Sequence, residues 1–72
     1  MFSPFEFKKA IEASGKSVSA IAEKAGVDRS SIHLWMRGLA VPNVNNLQAV
    51  ANAIDVSMTI FMVSNQERGF NR

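Results

Sequence analysis

Residues 18–38 read Val-Ser-Ala-Ile-Ala-Glu-Lys-Ala-Gly-Val-Asp-Arg-Ser-Ser-Ile-His-Leu-Trp-Met-Arg-Gly, and their spacing decides the fold. Ile21, Ala22 and Ala25 fall at i, i+1 and i+4 of one short helix, which Gly26 breaks. Asp28 is placed to cap a second helix whose apolar residues are Ile32, Trp35 and Met36. Ala22 has to be small if the second helix crosses close over it, and Gly26 suits a left-handed backbone at the turn. Val27, Ile32 and Trp35 then fill the angle between the helices. The other side of the second helix carries Arg29, Ser30, His33, Leu34 and Arg37, a face with hydrogen-bonding groups and almost no acid.

Two short helices at a steep angle, one presenting such a face, make a helix-turn-helix with a second helix sized for the DNA major groove. Its surroundings read as three further elements. Ser3-Pro4-Phe5-Glu6 starts a first helix: Ser3 as cap, Pro4 at the first position, Glu6 completing a capping box. That helix buries Phe7, Ala10 and Ile11, with Ser14 as a further candidate, and ends at Gly15; Ser17 caps the next one. Pro42 disfavours a helical Val41. Asn43 caps a fourth helix carrying Leu47, Val50, Ala51 and Ile54 at i, i+3, i+4 and i+7. Helices of about ten residues are not stable singly, so their apolar stripes share one core.

The C-terminal segment has a different character. Residues 56–63, Val-Ser-Met-Thr-Ile-Phe-Met-Val, are rich in β-branched and aromatic residues and read as a strand, with a fifth helix as the alternative. Alternation would put Met58, Ile60 and Met62 on one side and Thr59, Phe61 and Val63 on the other. The chain offers no clear partner strand unless Met1-Phe2-Ser3 serves, so pairing with a second copy is the expected way to satisfy its edges. Residues 1–64 are thus expected to form one domain, with a polar tail over 65–72.

Bulk properties narrow the function class. Seventy-two residues make one small domain. Eight basic against six acidic side chains give a net charge of +2. Lys16, Lys24, Arg29 and Arg37 cluster around the proposed DNA face, whereas Glu6, Glu12 and Glu23 lie on the first two helices. A local basic face with modest net charge suits a specific binder more than a non-specific coat. There is no cysteine, which excludes disulfides and thiolate metal sites and fits a reducing cytosol. No apolar run approaches the roughly 18 residues of a membrane helix, and the expected location is the cytoplasm or nucleoid. Paired carboxylates, a glycine-rich phosphate loop and a metal constellation are all missing from the sequence, and His33 has no second histidine to share a metal with. An enzyme is not expected, and no cofactor.

Ile21-Ala22, Gly26-Val27, Ile32, Trp35, Arg37-Gly38, Pro42 and the Leu47…Ala51…Ile54 helix, taken as a correctly spaced set over residues 5–56, resemble the Cro and phage-repressor class of helix-turn-helix proteins, the xenobiotic-response-element family. The resemblance implies a mainly α, four-helix, lambda-repressor-like domain with a fifth element, binding operator DNA as a homodimer and usually repressing transcription. The ending Ile54-Asp55-Val56-Ser57-Met58-Thr59-Ile60 looks like antitoxins of the HipA–HipB kind, in which a C-terminal strand pairs across the dimer. A regulator that also holds a protein toxin, with the tail as docking segment, is therefore the alternative to a Cro-like repressor of phage or prophage type. Two positions depart from the family pattern. Val18 stands where glutamine is frequent at the start of the second helix, so Ser17, Ser19 or a main-chain N–H has to supply that contact. The loop after the recognition helix is Leu39-Ala40-Val41 instead of basic, which implies fewer phosphate contacts.

On this frame Arg29, Ser30, His33 and Leu34 are the expected base readers. Arg29 is suited to guanine, and the alternative for it is a surface pair with Asp28 or Glu23. Leu34 either packs on a thymine methyl or covers the flank of the core. Ser17, Ser19, Lys24, Ser31, Arg37, Asn43, Asn45 and Asn46 are the expected phosphate contacts, with Asn43 first of all a cap. Met58, Thr59, Ile60, Phe61, Met62 and Val63 are the expected dimerisation residues.

Overall fold

The structure, a computed structural model, describes residues 1–62. Four helices follow one another, α1 (Pro4–Ala13), α2 (Val18–Ala25), α3 (Arg29–Met36) and α4 (Val44–Ala53), and a 3₁₀ turn, η1 (Met58–Phe61), closes the order. Three of the expected side-chain caps are made: Ser3 Oγ accepts from Glu6 N–H at 3.2 Å, Ser17 Oγ from Ala20 N–H at 3.0 Å, and Asn43 Oδ1 from Asn46 N–H at 2.8 Å. Each satisfies one donor that a helix start otherwise leaves unpaired. The capping box of α1 is half formed. The Ser3 N–H that Glu6 was expected to take donates instead to Phe61 O at 2.8 Å, and Glu6 pairs with Lys9 at 3.4 Å.

The turn between α2 and α3 forms as its residues require. Gly26 is left-handed at φ 74°, Val27 N–H reaches back to Ala22 O at 3.0 Å, and Gly26 N–H to Glu23 O at 3.3 Å. This pair of bonds turns the chain sharply while satisfying the last carbonyls of α2. The same pattern ends α3, where Leu39 N–H meets Leu34 O at 2.9 Å with Gly38 at φ 74°. It ends α4 as well, but there the left-handed residue is Asp55 at φ 61°.

The core gathers from every helix: Phe7, Ile11, Ile21, Ala22, Ile32, Trp35, Leu47, Val50, Ala51 and Ile54 are buried, as the periodicity implies. Phe7 is its hub, with ring centroids 5.4 Å from Phe2, 6.2 Å from Trp35 and 5.0 Å from Phe61. These tilted and edge-on contacts fix α1 against α3 and η1 at once.

The strand expected over 57–63 is not formed in the described part of that segment. Residues 58–61 are a 3₁₀ turn started by Ser57, whose carbonyl accepts from Ile60 N–H at 3.1 Å and whose Oγ accepts from Thr59 N–H at 3.3 Å. A 3₁₀ turn brings side chains at i and i+3 onto one side. Met58 and Phe61 therefore point inward together, Phe61 fully buried, whereas a strand would have set them on opposite faces. Thr59, Ile60 and Met62 remain exposed, and Val63 lies outside the described residues, as does the tail over 65–72. One antiparallel bridge joins Met62 to Phe2, so the N-terminal residues supply the backbone partner that was to come from a second copy. Among the described residues no helix is long and apolar enough to cross a membrane.

Candidate nucleic-acid interface

The two faces of α3 separate cleanly. Ile32 and Trp35 point inward, 0% and 6% exposed, and anchor the helix to the core. Arg29, Ser30, His33, Leu34 and Arg37 are exposed on the other side, with Ser31 half-buried between the faces. Leu34 is 40% exposed, more than a residue sealing the core would be. The outward face stays open because the apolar positions that hold α3 are confined to one stripe.

The N-terminal ends of α2 and α3 border one open concavity lined by Ser17, Val18, Ser19, Asp28, Arg29, Ser30 and His33. Backbone N–H groups at both helix starts give this hollow positive partial charge, which Asp28 in its lining partly offsets. Ser17 uses its oxygen to cap Ala20 but keeps its O–H proton for donation. Arg29 Nη1 donates to Ser19 Oγ at 3.0 Å, a bond across the two helices. Among the described residues neither Asp28 nor Glu23 forms an ion pair with Arg29, and the pairing weighed against the DNA role is not made.

The remaining expected contacts do not line this hollow. Lys24 is exposed in the last turn of α2. Arg37 is exposed at the end of α3, where its charge also complements the helix dipole. Asn43, Asn45 and Asn46 start α4. Asn43 spends its carbonyl oxygen on Asn46 N–H and retains its two amide donors. The loop between, Leu39 and Val41, is 63% and 74% exposed and carries no charge.

Asp28 is the residue whose part the sequence reading missed. It holds the N-cap position of α3, yet its side chain makes no cap bond, and the residue lines the hollow next to Arg29. An acceptor-only group at a helix start can accept a hydrogen bond from an amino group and repels an anion. Its position directly before Arg29 was the available signal, but the cap rule absorbed it.

A helix-turn-helix family model matches residues 7–61, and the chain belongs to this helix-turn-helix family, of the Cro and phage-repressor type. That places it in a class of DNA-binding transcriptional regulators. The fold is shared with a solved structure, the restriction-modification controller protein C.AhdI from Aeromonas hydrophila: the TM-score is 0.76 at 24% sequence identity, over 82% of this chain and 89% of that one. No curated protein sequence gives a significant match.

Proposed function

We propose that this protein is a sequence-specific transcriptional repressor that lays α3 in the major groove of a pseudo-palindromic operator, two copies binding about a two-fold axis. The observation that carries the reading is the outward face of α3, where Arg29 stands exposed beside Ser30, His33 and Leu34 and, among the described residues, in no ion pair. These four read base edges, Arg29 with its fork on guanine O6 and N7. Ser17, Ser19, Lys24, Ser31, Arg37, Asn43, Asn45 and Asn46 hold phosphates on either side and set the register. Two copies related by a dyad present their recognition helices one helical turn apart. Ile60 and Met62, 41% and 37% exposed, are the apolar part of the C-terminal segment left for contact between copies, in place of a paired strand. The alternative, a regulator that also holds a protein toxin with the tail over 65–72 as docking segment, draws on residues outside the described ones.

Selection of bound sequences from random duplex DNA tests the reading. The expected result is a pair of inverted half-sites with centres roughly 34 Å apart. Arg29→Ala then weakens the selected site by about 1–3 kcal/mol and relaxes the preference at one base pair per half-site. A selection that returns no preferred sequence, or an Arg29→Ala protein that keeps both affinity and preference, overturns it.

A further inference from the structure

The bond from Arg29 Nη1 to Ser19 Oγ joins two exposed side chains on different helices, ten residues apart in sequence. The core has no need of it, because α3 is already fixed by Ile32 and Trp35. We infer that Ser19 is a positioning residue for base reading by Arg29, and that its hydroxyl couples that reading to the DNA backbone. The inference rests on the assignment of Arg29 to the DNA face.

The donor count supports both parts. A guanidinium carries five N–H donors, and one is spent on Ser19. The rest include the parallel pair that guanine O6 and N7 accept. A serine hydroxyl has one proton to give besides the lone pairs it offers. With Arg29 on the oxygen, the Ser19 proton is left for a phosphate oxygen, the acceptor that a helix start in a DNA-facing hollow meets first. Ser19 thus makes a two-step link, arginine to hydroxyl to phosphate. The position of the base-reading fork then follows the position of the backbone.

The neutral partner matters. A carboxylate holding Arg29 would form a charge-assisted bond that DNA has to break and would bring its own charge toward the phosphates. Asp28 and Glu23 both lie near in sequence, and neither takes the arginine. The hydroxyl orients the guanidinium and leaves its charge intact. It also limits the rotamers open to a long side chain before DNA arrives, so less entropy is lost on binding. Ser19 is itself held on a well-started helix, since Ser17 caps α2 through Ala20 N–H at 3.0 Å.

The test uses the full chain and three duplexes: the selected site, the same site with the guanine pair read by Arg29 replaced by an adenine pair, and a random sequence. Ser19→Ala, Ser19→Thr, Arg29→Ala and the Ser19→Ala, Arg29→Ala double variant are compared. Ser19 is an exposed helical position where alanine is favoured, so Ser19→Ala folds, and thermal unfolding of each variant verifies it. Ser19→Ala is expected to lose roughly threefold to tenfold of the preference for guanine over adenine, the worth of one ordinary exposed hydrogen bond. The random duplex loses less. Ser19→Thr, which keeps the hydroxyl, restores the preference, and the double variant discriminates no worse than Arg29→Ala alone. An unchanged preference in Ser19→Ala, or losses that add in the double variant, overturns the inference while leaving Arg29 as a base reader. If Arg29→Ala itself keeps the preference, the assignment of Arg29 fails and the inference fails with it.

Discussion

The helix-turn-helix and the C-terminal segment are both short and rich in apolar residues, yet they are held in different ways. In α2 and α3 the caps, the turn and the choice of inward face are set within a few residues of the groups they serve. Ser17 caps its own helix, Gly26 turns the chain by itself, and Ile32 and Trp35 form one inward stripe. In residues 57–62 the decisive contacts come from the other end of the chain. Phe61 packs on Phe7 at 5.0 Å, its carbonyl takes the N–H of Ser3, and Met62 bridges to Phe2. Local devices leave one face of a helix free for a ligand. A lock between the termini consumes the side chains that a free strand would have offered, and Phe61 is the clearest example.

The sharpest way to break this contrast is Phe61→Ala. If Phe61 is core, as its full burial says, the loss is about 3–5 kcal/mol, a large part of what a domain of this size has. Urea unfolding at two protein concentrations checks it. A loss of that size at both concentrations fits the intramolecular lock, whereas a loss that disappears at high concentration would return Phe61 to an interface between copies.

Gly38 stands where the two regions meet. It ends α3 at φ 74°, and an added Cβ would lie 3.3 Å from Pro4 Cγ at the start of α1. Gly38→Ala therefore meets a backbone penalty and a crowded neighbour, and the expected cost is about 1–2 kcal/mol in chemical denaturation. A loss below a few tenths would show that this turn relaxes without disturbing α1.

Arg37→Ala falls on the free side of the divide. Its side chain is exposed, so stability should stay within about 0.5 kcal/mol of the unaltered protein. Binding to selected and random duplexes should weaken alike, with the slope of log affinity against log salt falling by about 0.9 per subunit. Titrations across salt concentrations decide it, and a change confined to the selected duplex would move Arg37 among the base readers.

The smallest effect is a gain. Asp55 takes at the end of α4 the left-handed conformation that Gly26 and Gly38 supply elsewhere. Asp55→Gly should stabilise by up to about 1 kcal/mol, because glycine enters this region without strain. A rise in the unfolding midpoint with an unchanged denaturant slope is the expected reading, and a fall would mean that the Asp55 side chain contributes more than its backbone strain takes away.

What was legible in the sequence divides along the same line. Helix existence, the turn at Gly26, the caps Ser3, Ser17 and Asn43, and the inward positions of all four helices follow from periodicity and from capping chemistry, which act over three or four residues. The outward face of α3 was readable for the same reason: once Ile32 and Trp35 are assigned inward, helical geometry puts Arg29 and His33 outside. Three things depended on the tertiary structure. Residues 58–61 have strand propensity, but a buried site beside Phe7 rewards a 3₁₀ turn that carries Met58 and Phe61 inward together. The Ser3 N–H, which a local rule assigns to Glu6, goes to Phe61 because folding brings that carbonyl to 2.8 Å. The partner of Arg29 is Ser19 instead of a neighbouring acid, since the angle between α2 and α3 sets which side chains come within reach. Short-range chemistry is written in residue order. Contacts between distant residues exist once the core has chosen how its helices cross.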